Sequence, residues 1–206
     1  MLIKVCGMRE ADNIAAVRNL KPNFMGLIFY PKSSRFVGEE PSEAQAQSFG
    51  DTKKVGVFVN ESIDYIKNKI ATFGLDMVQL HGSESPEMCK ALTEQGIAVI
   101  KAFSITTAED LNNVAAYDGY TKYNLLDTKT PKVGGSGMKF DWSILDHYKS
   151  STPFLLSGGI DADDVAAIKA LRHPSLAGVD LNSKFEIAPA LKDADKLARF
   201  FEELRK

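Results

Sequence analysis

Eight short apolar runs recur along the chain: "LIKVCG", "FMGLIFY", "KKVGVFV", "MVQLHG", "AVIKAF", "YNLLDT", "PFLLSGG" and "AGVDLNS". Between them lie segments whose apolar residues return at three- and four-residue spacing, the period of a helix with one buried face. The clearest of these predict helices over 64–73, 108–116, 163–171 and 193–204. Ser62, Thr107 and Asp161 stand before three of them, where a side-chain oxygen caps the first free N–H groups. Strand and helix therefore alternate eight times.

Parallel strands need crossover helices, and strands covered on both faces read as nearly continuous apolar runs. The runs have that character, so the chain is expected to be α/β. Eight units of roughly 26 residues suit a closed (β/α)8 TIM barrel at the compact end of its range. An open doubly wound sheet would carry GxGxxG in its first turn, where this chain has "CGMREAD". No linker or low-complexity tract interrupts residues 1–206, which are expected to form one domain.

A barrel of this kind places its chemistry at the carboxyl ends of the strands. Those ends read Cys6, Tyr30, Asn60, His81, Ser104, Asp127, Ser157 and Asn182 or Ser183. Side chains alternate along a strand, so an inward Cys6 brings Lys4 inward with it. A buried ammonium needs a partner, and closure sets the first strand beside the eighth, which makes Asp180 the nearest candidate. Each polar end also has a plain structural reading. Cys6 is readable as a small buried hydrophobe, as is Cys89 beside Met88 and Leu92. Asp127 is readable as a cap and His81 as a satisfied histidine.

Glycines cluster after the sixth and seventh strands, in "KVGGSGMKFDW" and "LSGGIDADD", and the eighth strand ends in "VDLNSKFE". Glycine pairs are ordinary turn formers. At the seventh and eighth strand ends, however, backbone N–H groups that can approach an anion closely suit a phosphate. Asp161, Asp163 and Asp164 would compete there, which shifts some of the expected contact to Asn182 and Ser183. The long second loop "FYPKSSRFVG" carries Arg35, whose planar fork matches a carboxylate.

Charge narrows the partner. With 25 basic and 27 acidic residues interspersed, the net charge is −2, and no segment forms a footprint for nucleic acid or anionic lipid. No run is long enough to span a bilayer or form a signal-peptide core. The expectation is a cytoplasmic protein, monomeric or homodimeric, acting on a small molecule. Cys6 and Cys89 lack CxxC partners and the three histidines lack HxxxH spacing, so no metal is expected.

Taken in order, "IKVCGMRE", "PKSSRFV", "VGVFVN", "VQLHG", "LLDT", "GGSGMKFDW", "LSGGI" and the final "GVDLNS" with "FE" and "KD" resemble the phosphoribosylanthranilate isomerase family of tryptophan biosynthesis. The resemblance runs from the first strand to the last helix. It departs at "NSKFE" and "APALKD", where the family often carries a glycine. The resemblance implies an Amadori rearrangement without a cofactor, with Asp127 as general acid and Cys6 as general base. It implies Arg35 on the substrate carboxylate, and His81 and Asp180 lining the pocket. It also implies Gly135, Gly158, Gly159, Asn182 and Ser183 around the phosphate. The rival readings are another sugar-phosphate barrel enzyme and a non-catalytic phosphometabolite-binding barrel.

Overall fold

The computed structural model describes residues 1–128 and 141–206. Eight parallel strands close into a barrel in sequence order: β1 (Leu2–Val5), β2 (Phe24–Ile28), β3 (Lys53–Phe58), β4 (Met77–Leu80), β5 (Ala98–Ile105), β6 (Tyr123–Thr128), β7 (Phe154–Leu156) and β8 (Leu176–Leu181). The seam pairs β1 with β8, with Lys4 opposite Asp180.

Strand alternation divides the apolar residues into two sets. Phe24, Val55, Met77, Ile100, Leu125 and Leu155 fill the barrel interior. Ile3, Val5, Met25, Leu27, Phe58, Val78, Leu126 and Leu156 face outward against the surrounding helices. These are α1 (Ala11–Asn19), α2 (Glu43–Ala46), α3 (Ile63–Phe73), α4 (Pro86–Glu94), α5 (Val165–Ala170) and α6 (Ala194–Arg205). Ser62 caps α3 by accepting from Tyr65 N–H at 3.2 Å. None of the described helices is long and apolar enough to cross a membrane.

The expectation of eight helices is corrected in three connections. Residues 108–116 form two 3-10 helices, Ala108–Leu111 and Val114–Tyr117, in place of one α-helix. Ala108, Leu111, Val114 and Tyr117 recur every third residue, which fits the three-residue turn of a 3-10 helix better than the 3.6 of an α-helix. The Asp110 carboxylate also folds back onto the N–H groups of Thr106 and Thr107. The predicted 163–171 helix begins instead as a 3-10 turn, Ala162–Asp164, that leads into α5. Between β6 and β7 the described residues hold the 3-10 helix Trp142–His147.

A buried ammonium ties two helix ends to the barrel. The Lys54 Nζ donates to the carbonyls of Gln45 at 3.1 Å and Gln47 at 3.1 Å, at the end of α2, and to that of Phe73 at the end of α3. Gly74, with φ of +60°, turns the chain away and leaves the ammonium room. Lys54→Met would bury those carbonyls without a donor. The expected loss is about 2–4 kcal/mol, which lowers the melting temperature by about 5–15 °C. A thermal melt followed by circular dichroism checks this, and an unchanged midpoint contradicts it.

Candidate active site

Cys6 leaves β1 at the carboxyl-terminal mouth of the barrel, where its N–H donates to Leu181 O at 2.9 Å. Its side chain turns inward toward β2, into space that only a glycine leaves. A Cβ on Gly26 would lie 2.8 Å from Cys6 Sγ. Gly7, with φ of +76°, has the same role on the next residue, because a Cβ there would lie 2.7 Å from Arg35 Cδ and 2.9 Å from Asn182 Oδ1. The "CG" of the first strand end is thus a thiol followed by a space-sparing hinge.

Lys4 lies one inward position below Cys6 and is fully buried. Its Nζ sits 2.9 Å from Asp180 Oδ1, the pairing expected from barrel closure. Burial alone would lower the Lys4 pKa, but Asp180 and the thiol more than offset it and hold the ammonium charged. Burial also raises the carboxyl of Asp180 against the pull of Lys4. For Cys6 burial is again the largest influence and raises the thiol pKa; Lys4 and Lys192 oppose it and Asp180 reinforces it. Cationic neighbours that favour a thiolate are therefore present, yet burial outweighs them.

Asp127 and His81 line the same mouth from β6 and β4. Asp127 Oδ2 lies 3.4 Å from His81 Nε2, and Oδ1 accepts from Thr128 N–H at 3.0 Å. Both side chains are 28% exposed, which leaves them open to a ligand. Gln79, one inward position below, reaches His81 Nδ1 at 2.7 Å. Asp180 lies within electrostatic reach of both Asp127 and His81, so the β1–β8 seam and the β4–β6 arc face one space.

Arg35 is buried rather than solvated on a loose loop. Its fork grips Glu186, with Nε to Oε1 at 2.8 Å and Nη2 to Oε2 at 2.6 Å. Glu186 opens a small hairpin of β9 (Glu186–Ala188) and β10 (Leu191–Lys192), and Lys192 Nζ lies 2.6 Å from its Oε1. Burial would raise the Glu186 pKa, but Arg35 and Lys192 outweigh it and keep the carboxylate ionised. Lys192 Nζ also donates to Asn182 Oδ1 at 2.7 Å, so the Asn182 side chain is engaged inside the protein.

Gly158 and Gly159 follow β7 with φ of +92° and +67°, and a Cβ on Gly158 would collide with Thr128. No hydrogen bond among the described residues uses their N–H groups. The acidic crowding at the next turn is internally resolved. Asp161 and Asp164 cap their own 3-10 turn, and Asp161 Oδ1 pairs with Lys196 at 2.7 Å. Ser183 begins a short 3-10 turn after β8, Ser183–Phe185. Gly135 lies outside the described residues.

The structure thus groups Cys6, Asp127, His81 and Asp180 at one mouth, with Arg35 and Asn182 packed around Gly7. Sequence reasoning missed Gly26, Glu186 and Lys192 as parts of this arrangement. Gly26 had a signal, a lone glycine inside a buried strand. Glu186 and Lys192 had little, because nothing in their spacing joins them to an arginine about 150 residues earlier. Among the described residues no three His, Cys, Asp or Glu side chains gather as a metal site.

Comparison with known proteins bears on the family and the fold. The family model described as "PRAI: N-(5'phosphoribosyl)anthranilate (PRA) isomerase" matches residues 3–203. An N-(5'-phosphoribosyl)anthranilate isomerase of Parabacteroides distasonis is 52% identical over 206 residues, covering 99% of this chain and 93% of that protein. The crystal structure of the phosphoribosyl anthranilate isomerase from Thermus thermophilus superposes with a TM-score of 0.86 at 28% identity, covering 100% of this chain and 98% of that one. A phosphoribosyl anthranilate isomerase crystallised with reduced 1-(o-carboxyphenylamino)-1-deoxyribulose 5-phosphate gives a TM-score of 0.80 at 28% identity, again covering 100% and 98%.

Proposed function

The chain belongs to the N-(5'-phosphoribosyl)anthranilate isomerase family, and from that premise we propose how its own residues carry the reaction. The activity is the Amadori rearrangement of N-(5-phosphoribosyl)anthranilate to 1-(2-carboxyphenylamino)-1-deoxyribulose 5-phosphate in tryptophan biosynthesis. Asp127 protonates the ribose ring oxygen. The C1–O bond breaks, the nitrogen lone pair closes an iminium, and the ring opens. Cys6 then takes the proton from C2, and the electron pair of that C–H bond forms the enolamine, which tautomerises to the ketone with a proton returned to C1.

The observation that carries this reading is the placement of Cys6 and Asp127 at two strand ends around one mouth, with His81 and Asp180 between them. The raised thiol pKa gives the order of events a physical reason. Burial disfavours the Cys6 thiolate and a positive charge beside it favours that form, and the iminium is such a charge. His81, whose Nε2 lies 3.4 Å from Oδ2, holds Asp127 in place. Gly158, Gly159 and Ser183 offer backbone donors to the phosphate, joined by Gly135 and by the main chain at Asn182.

Arg35 takes the anthranilate carboxylate. Arg35→Ala should raise the substrate KM about 10- to 100-fold, the worth of a charge-assisted hydrogen bond, with a smaller change in kcat; an unchanged KM removes this role. We place the reaction in the cytoplasm, where a reducing environment keeps the buried Cys6 thiol free. The named residues come from one chain, so the same site serves a monomer or a homodimer. The reading as a whole is tested by the decay of substrate fluorescence on addition of purified protein, and a preparation that is folded but gives no decay would overturn it.

A further inference from the structure

A guanidinium offers donors along two edges, and in Arg35 only one is taken. Nε and Nη2 meet Glu186 side-on, while Nη1 makes no hydrogen bond among the described residues. Glu186 is not a casual neighbour. Its side chain is 5% exposed, and its Oε1 also accepts from Lys192 Nζ at 2.6 Å and from Ala190 N–H at 3.1 Å. Lys192 is fixed in turn. Its backbone N–H and C=O exchange two hydrogen bonds of 2.8 Å with the side chain of Asn13 on α1. The carboxylate is thus held by Lys192 and Ala190 as well as by Arg35.

We propose that Glu186, anchored by Lys192, is a positioning residue that fixes the Arg35 guanidinium so that its remaining edge receives the substrate carboxylate. The proposal rests on the carboxylate role of Arg35 given above. The charges fit it. Arg35, Lys192 and Glu186 sum to one positive charge inside a buried cluster, and one incoming carboxylate neutralises it. Without Glu186 two cations would face each other and the fork would lose its orientation. A fork held in one plane also discriminates, because it rewards a carboxylate at the ring position it faces and gives little to a substrate lacking one.

The test compares kcat and KM by fluorescence decay for wild type, Arg35→Ala, Glu186→Gln and the double variant. Glu186→Gln keeps the shape and removes the charge. It should raise KM about 10-fold or more while kcat stays within about threefold. The double variant should bind no worse than Arg35→Ala alone. Inhibition by inorganic phosphate, which needs only the glycine loops, should be unchanged. A merely structural role would move that constant and kcat together with KM. Glu186→Asp, which keeps the charge but shortens the reach, should fall between wild type and the glutamine variant; if Glu186→Gln does not fold, a wild-type KM in Glu186→Asp overturns the proposal. A wild-type KM in folded Glu186→Gln, or additive effects in the double variant, overturns it while leaving Arg35 in place. An unchanged KM in Arg35→Ala overturns the carboxylate reading itself.

Discussion

Cys6→Ala is expected to lower kcat by about two to four orders of magnitude, the usual contribution of a positioned general base, without unfolding the barrel. The side chain lost is one sulfur atom in a site that Gly26 already keeps open, so the cavity term is small. The wild-type pH profile carries the signature. The base works as the thiolate, and burial raises the Cys6 thiol above its ordinary value. Because the acid must be protonated and the base deprotonated at once, kcat/KM of the free enzyme should be bell-shaped, with the limb set by the thiol displaced toward higher pH than an ordinary thiol would give. Cys6→Ala should lose that limb. A variant with wild-type turnover, or one whose pH profile keeps the thiol limb unchanged, would take Cys6 out of the chemistry.

Asp127→Asn is expected to cost a similar factor, about 10²–10⁴ in kcat, for a different reason. The amide keeps an oxygen for Thr128 N–H and remains within reach of His81, so the local geometry survives. What is lost is the proton delivered to the ring oxygen, without which the iminium does not form. Ligand binding separates this role from a binding one. The reduced product analogue is already ring-opened and needs no acid, so its affinity for Asp127→Asn should stay within about threefold of wild type. A folded variant that turns over normally ends the assignment. One that loses the analogue in proportion to its rate makes Asp127 a binding residue.

The barrel was legible because its evidence is local. Eight apolar runs with helical spacing between them survive any uncertainty about their ends, and the in-out alternation that places Lys4 below Cys6 follows from the geometry of a strand. The Lys4–Asp180 contact was legible for the same reason, since closure leaves β1 no other new neighbour. Residues 108–116 were misread because a repeat of three is close to 3.6 over so short a segment. The Arg35 fork was legible as chemistry but not as geometry. Its partner Glu186 stands 151 residues later in a hairpin of β9 and β10, and no periodicity links the two. Gly26 was hidden in another way, because its function is an absence of atoms next to a sulfur on a different strand.

The seam between β1 and β8 also says when the enzyme becomes one. Lys4 is made 176 residues before Asp180, so a nascent chain that lacks β8 holds a cation with nowhere dry to go. Until that strand docks, the ammonium keeps its water, the first strand stays frayed and the thiol it carries has no fixed address. Docking of β8 and burial of the Lys4 ammonium are then a single event, and a product truncated before Asp180 is unfinished in its chemistry as well as in its shape.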